Sequence, residues 1–203
     1  MPKVIQQPFL PAQPTGFDFT TRMRLLCADM IARTPELAHV DLSRVAVTFS
    51  QARKGVSWGM YASLTPLRFA GGSLTTVRRG RRYQVQRIVD GLGQEMLYLL
   101  SFYLPRFMNL VFREKLITIF HELWHIGPQF DGDLRRHEGR CFAHSHSQAQ
   151  YDRQMGVFAD GWLAQSPDES LWRFLEHSFH ELHAAAGPIY GLRVKRPKLL
   201  PVE

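Results

Sequence analysis

Only two cysteines, Cys27 and Cys141, occur in 203 residues, which excludes a disulfide framework and a four-cysteine zinc ribbon. The chain also has no unbroken apolar run of about 18 residues, the length a membrane-spanning helix needs. Its longest, "MLYLLSFYLPRFMNLVF", is interrupted by Pro105 and Arg106 and reads as a buried strand followed by a turn. The opening stretch, "MPKVIQQPFLPAQPTGFDF", holds four prolines and nothing resembling the apolar core of a secretory signal. These shortages point to a cytoplasmic, reducing location.

A further shortage is local. No acidic residue stands between Asp41 and Asp90, whereas Arg44, Arg53, Lys54, Arg68, Arg78, Arg79, Arg81, Arg82 and Arg87 supply nine positive charges, in a chain of net charge +7. Such a block attracts polyanions by counterion release, so DNA is a candidate partner through the basic 44–87 region. A solubilising face is the plainer reading of the same charges.

What is present suits one folded domain: 45% hydrophobic residues, 12% aromatics and a length too short for two ordinary domains. "FDFTTRMRLLCADMIARTPEL" has Met23, Leu26, Cys27, Met30 and Ile31 at helical spacing, with Thr20 or Thr21 as the expected cap. "SRVAVTFSQA" alternates like a half-buried strand. Pieces around Leu67 to Ala70, Leu74 to Val77 and Tyr83 to Val89 read as short strands turned at "AGG" and "RRGRR", and "EMLYLLSFYLP" as an apolar strand ended by Pro105. Helices follow over Phe112 to His125, stopped by Gly127 and Pro128, over "SQAQYDRQMGVFADGWLAQ" with Ser147 and Gln150 as a capping box, and over "DESLWRFLEHSFHELHAA". The expected class is therefore α+β: one domain over residues 17–192. It has an N-terminal helix and a small twisted, mainly antiparallel sheet, then a motif-bearing helix and C-terminal helices. A proline-rich tail (1–16) and a basic extended tail (193–203) flank it.

"LITIFHELWHIGPQF" carries the chemistry. Residues four apart on a helix lie one turn above each other, so His121 and His125 can aim ring nitrogens at one ion about 2 Å away. Glu122, one step round, can lie beside a metal-activated water and take its proton. This is the HExxH arrangement of the zincins. With nine histidines and nine glutamates in the chain, random order would produce it only about 0.02 times, so chance explains it poorly.

Catalytic zinc needs a third protein ligand and an open fourth position. His144 and His146, at the entrance to the next helix, and His137, within loop reach of His125, are the candidates, with His144 first and His137 its main alternative. Asp131 stands where a metzincin places its third ligand, but Pro128 replaces that pattern's glycine. Glu138, Glu176 or Glu181 would serve a gluzincin. His177, His180 and His183 in "HSFHELH" step around a helix axis and read as a polar helix face.

At "KLITIFHELWHI" and the downstream "RRHEGRCFAHSHSQAQYDRQM" the chain resembles the SprT-like zinc metallopeptidases of bacteria and their phages. The resemblance covers roughly residues 95 to 160. It implies a zincin-like domain, Zn2+ held by His121, His125 and a third histidine near the next helix, and Glu122 as general base. It also implies action on DNA-associated proteins. Many such proteins carry a separate zinc-binding module, for which this chain has too few cysteines. The expected activity is peptide-bond hydrolysis of a protein substrate lying along an exposed strand, "MLYLLSFYLP" or a neighbour, with Tyr151 or a spare histidine assisting the oxyanion. A zinc-stabilised nucleic-acid-binding module without catalysis is the alternative, and a non-peptidase hydrolase built on the same helix is a third.

Overall fold

A computed structural model describes residues 5–6, 15–51, 59–136 and 148–202. Along the chain run β1 (Ile5–Gln6), β2 (Phe17–Asp18), α1 (Phe19–Arg33), β3 (Val45–Gln51), β4 (Ala62–Pro66), β5 (Thr75–Arg78), β6 (Arg81–Val85), β7 (Ile88–Val89) and β8 (Tyr98–Leu104). Then come α2 (Phe112–Trp124), α3 (Gln148–Ala164), α4 (Glu169–Trp172), α5 (Phe179–Ala186), β9 (Ile189–Tyr190) and β10 (Leu199–Pro201). The class is mixed α and β, as the sequence suggests. No helix among the described residues is long and apolar enough to cross a membrane.

The main sheet has β8 at its centre, between β3 and β4. β3 runs parallel to β8, with Val45 opposite Tyr98, and β4 runs antiparallel, with Leu64 opposite Leu100. This corrects the mainly antiparallel expectation: strands buried on both faces, such as "VAVTF" and "YLLSFYL", say nothing about pairing direction, which the long connections decide. A separate antiparallel sheet holds β10, β6 and β5 in that order. The expected strand at Leu67 to Ala70 is instead a bend leading to a 3₁₀ turn at Ala70–Gly72, and the strand lies earlier, at β4. Ser63, Thr65 and Pro66 hide it, because an edge strand tolerates polar residues and proline where a central one does not.

Alternation sorts β8 into two faces. Tyr98, Leu100, Phe102 and Leu104 join the large core with Val45, Val47 and Phe49 of β3 and the apolar sides of α1, α2 and α3. Leu99 and Ala46 face a small cluster with Ile88 and Val194. The helices therefore share one face of the sheet, the layering of α+β domains. Phe19 is the hub, edge-on to Phe49, Phe102, Phe107 and Phe174 at centroid distances from 5.9 to 6.5 Å.

α1 is capped by Asp18, whose carboxylate accepts from the Thr21 N–H at 3.0 Å and the Thr21 hydroxyl at 2.8 Å. The expected threonine cap thus belongs to the first turn, since an aspartate preceding it satisfies the exposed N–H groups as well. The long third helix is broken: α4 passes into a 3₁₀ turn at Arg173–Glu176, and α5 starts afresh with a Ser178–Glu181 capping box. His177 precedes α5 and lies on no helix, while His180 and His183 do. The C-terminal segment is no free tail either. Leu192 and Val194 hydrogen-bond to β3, and β10 pairs with β6 through Leu199 opposite Val85.

Lys115 ties α2 to this C-terminal part. It is 1% exposed, and its ammonium donates to the Leu175 and His177 carbonyls at 2.7 and 2.8 Å. Lys115→Met keeps the apolar stem but leaves both carbonyls without their donor, an expected loss of about 1–3 kcal/mol in a urea titration. Burial lowers this ammonium from 10.5 to about 8. Between those values the unfolded chain binds the more protons, so this group adds stability as pH rises through the window. The gap between wild type and Lys115→Met should widen from pH 8 to pH 10.5.

Candidate metal centre

α2 is apolar on most of its circumference. Leu116, Ile119, Phe120 and Leu123 are fully buried, and the remaining stripe is Glu114, Ile117, Thr118, His121 and His125, positions three and four apart. The His125 N–H bonds the His121 carbonyl at 3.3 Å, so the helical turn continues through His125, the capping residue. The two rings consequently lie 4.6 Å apart, centroid to centroid, with their planes at 83°. That spacing lets two imidazoles share one ion. Neutral imidazole pairs suit zinc and neighbouring first-row ions.

Tyr151, on α3 and 5% exposed, completes an aromatic cluster: its ring is 4.7 Å from His121, edge-on, and 5.9 Å from His125, stacked. α3 presents it because Tyr151, Met155, Ala159 and Trp162 form one buried stripe. Past the helix the chain turns back. The Gly127 N–H reaches the Asp133 carbonyl at 3.2 Å, and a β-carbon on Gly127 would stand 2.8 Å from that oxygen, so only glycine fits. The Arg135 N–H then bonds the His125 carbonyl at 2.8 Å, while its guanidinium bonds the Trp124 carbonyl and lies over the indole at 3.8 Å.

Glu122 is 8% exposed, and its carboxylate reaches the sheet: Oε2 accepts from the Leu64 N–H at 2.7 Å. Burial pushes the carboxyl up to about 7, against the pull of that bond. β4 is a terminal strand of the main sheet, and among the described residues no strand pairs with its outer side. Tyr61 and Leu67 bond inward to the β8 region, so by alternation the Ala62 and Leu64 main-chain groups point outward. Between this edge and α2 opens a cleft of about 530 Å³, lined by Tyr61, Ala62, Leu110, Ile117, Thr118 and Glu114, with His121 and Glu122 in its wall.

The strand at "MLYLLSFYLP" is flanked on both sides and has no free edge, so it cannot receive an extended chain. Its neighbour β4 can. The sequence did not single out β4, Leu64 or Glu114, although the spacing of Glu114, Thr118 and His121 places all three on one face of α2. His137, His144, His146 and Glu138 lie outside the described residues. Asp131 is engaged locally, accepting from the Asp133 N–H at 3.0 Å. Glu181 serves the α5 capping box, and Glu176 lies 4.0 Å from Arg173. Among the described residues no three histidine, cysteine, aspartate or glutamate side chains gather as a metal site.

No family model, curated protein or solved structure matches the chain. Residue chemistry and geometry alone carry the functional reading.

Tight zinc binding needs a third protein ligand beside the two imidazoles, and the sequence offers His137, His144 and His146 for it. Metal analysis of purified protein should give about one zinc per chain. His121→Ala and His125→Ala should each abolish it, and among His137→Ala, His144→Ala and His146→Ala one variant should do the same while two retain the metal.

Proposed function

We propose that the protein is a zinc-dependent metallopeptidase with a zincin-like domain, acting on protein substrates. The observation that carries this reading is the pair of imidazoles 4.6 Å apart on a buried helix, with the intervening glutamate in the wall of a cleft under a free strand edge. A chance pair of histidines would need neither the buried carboxylate nor the cleft.

His121 and His125 would hold the metal, joined by His144 or, as the alternative, His137. Bound there, zinc would supply the Lewis acidity that lowers the pKa of water and polarises a carbonyl. Glu122 takes the proton of the attacking water and returns it to the leaving amine. The Leu64 N–H, on Oε2 at 2.7 Å, fixes the carboxylate for that transfer. An extended peptide pairs with the outward Ala62 N–H and the outward carbonyls of Ala62 and Leu64, the Leu64 N–H being held by Glu122, which leaves its side chains in the cleft below. Tyr151, packed on both rings, holds their orientation and excludes water from behind them.

The alternative, a zinc-stabilised nucleic-acid-binding module without catalysis, draws on the basic β5–β6 hairpin. It requires four protein ligands on the metal and no base. Glu122→Gln separates the two. With zinc retained in both proteins, the variant should digest casein, or proteins bound to DNA, more slowly by a factor of about 10²–10⁴. If zinc-loaded wild type cuts no protein offered, with or without DNA, the peptidase reading is wrong.

A further inference from the structure

The nine cations of the acid-free stretch do not form one surface. Arg68 and Arg87 both clamp the Glu95 carboxylate at 2.8 Å, and the Arg44 guanidinium bonds the Glu95 carbonyl at 3.2 Å. Arg53 and Lys54 lie outside the described residues. Four remain, Arg78, Arg79, Arg81 and Arg82, all exposed and all at the tip of the β5–β6 hairpin. None of them enters an ion pair among the described residues.

Their placement is costly to the free protein. Arg78 is directly opposite Arg81 in the antiparallel register, a like-charge cross-strand pair that destabilises a hairpin. Arg79 occupies the turn at φ 50°, followed by Gly80 at φ 75°, left-handed values that a two-residue hairpin turn demands. A further arginine therefore stands where asparagine or aspartate is the ordinary choice. The third strand runs antiparallel to β6, so Lys195, Arg196 and Lys198, which precede β10, lie at the end of β6 away from the tip. There the Gln86 N–H bonds the Lys198 carbonyl at 2.9 Å, while the Val202 N–H bonds the Arg82 carbonyl.

We infer that the tip of the β5–β6 hairpin is a binding site for duplex DNA: the part beyond β10 enters a groove as a two-stranded ribbon whose Arg78, Arg79, Arg81 and Arg82 meet the flanking phosphates. The repulsion between Arg78 and Arg81 is relieved when phosphates lie between them. A two-stranded ribbon fits the major groove of B-form DNA, which is about 12 Å wide. The deep, narrow major groove of A-form RNA does not admit it. The inference is independent of peptide hydrolysis and stands or falls without it.

The test is fluorescence anisotropy of the full chain with a short labelled DNA duplex, an RNA duplex of the same sequence, and vesicles containing phosphatidylserine, over a series of KCl concentrations. Wild type should bind the DNA duplex best. Arg78→Gln, Arg79→Gln, Arg81→Gln and Arg82→Gln combined should weaken it by about tenfold or more and flatten the salt dependence by about 0.9 for each phosphate no longer neutralised. The same variant should melt no lower than wild type, because it removes a repulsive pair. If it melts early, Arg79→Gln and Arg81→Gln singly should each flatten the salt slope by about 0.9. Absence of DNA binding by wild type, unchanged binding by the variants, or equal binding to the RNA duplex or the vesicles would each overturn the inference.

Discussion

The hydrogen bond from the Leu64 N–H to the Glu122 carboxylate joins the free edge of the main sheet to the helix beneath it. A carboxylate buried this deeply is costly unless a donor meets it, and an outward N–H on an edge strand wants an acceptor. Each group answers the other. Because both are fixed, β4 lies at a set height over α2, the cleft opens beside them with His121 and Glu122 in its wall, and the His121 and His125 rings pack against Tyr151 of α3. Losing that hydrogen bond would leave a buried carboxylate without its donor, while β4 stays paired with β8 and α2 stays held by its buried apolar face.

Charge is partitioned in a similar way. Glu95 alone engages Arg68, Arg87 and, through its carbonyl, Arg44, so part of the basic block builds the fold. The arginines of the β5–β6 tip have no such task in the described structure and crowd one another. A count of charges in the sequence cannot separate these two groups, because the separation depends on where a single carboxylate from beyond the block comes to rest.

Much of the helical layer was readable. α2 follows from apolar spacing and from Gly127 and Pro128 beyond it, since both signals act within a few residues. α1 was placed well, though its cap moved from threonine to Asp18. The region after α3 misled: "DESLWRFLEHSFHELHAA" has helical composition throughout, yet Lys115 from α2 takes the carbonyls of Leu175 and His177, and the chain breaks there before Ser178 restarts it. The extended tail expected at the C-terminus became a strand because β6 offered it an unpaired edge.

By itself the sequence determined which residues share one face of α2, because a helix has a fixed period and its neighbours are neighbours in the chain. From that period come His121, Glu122, His125 and the case for a shared ion. Only the tertiary structure decided that β8 is central and β4 the open edge, that Leu64 meets Glu122, that Tyr151 packs on both imidazoles, and which arginines remain exposed. Those pairings span tens of residues, and their partners are chosen by burial and by the direction of the connections, neither of which leaves a local mark in the chain.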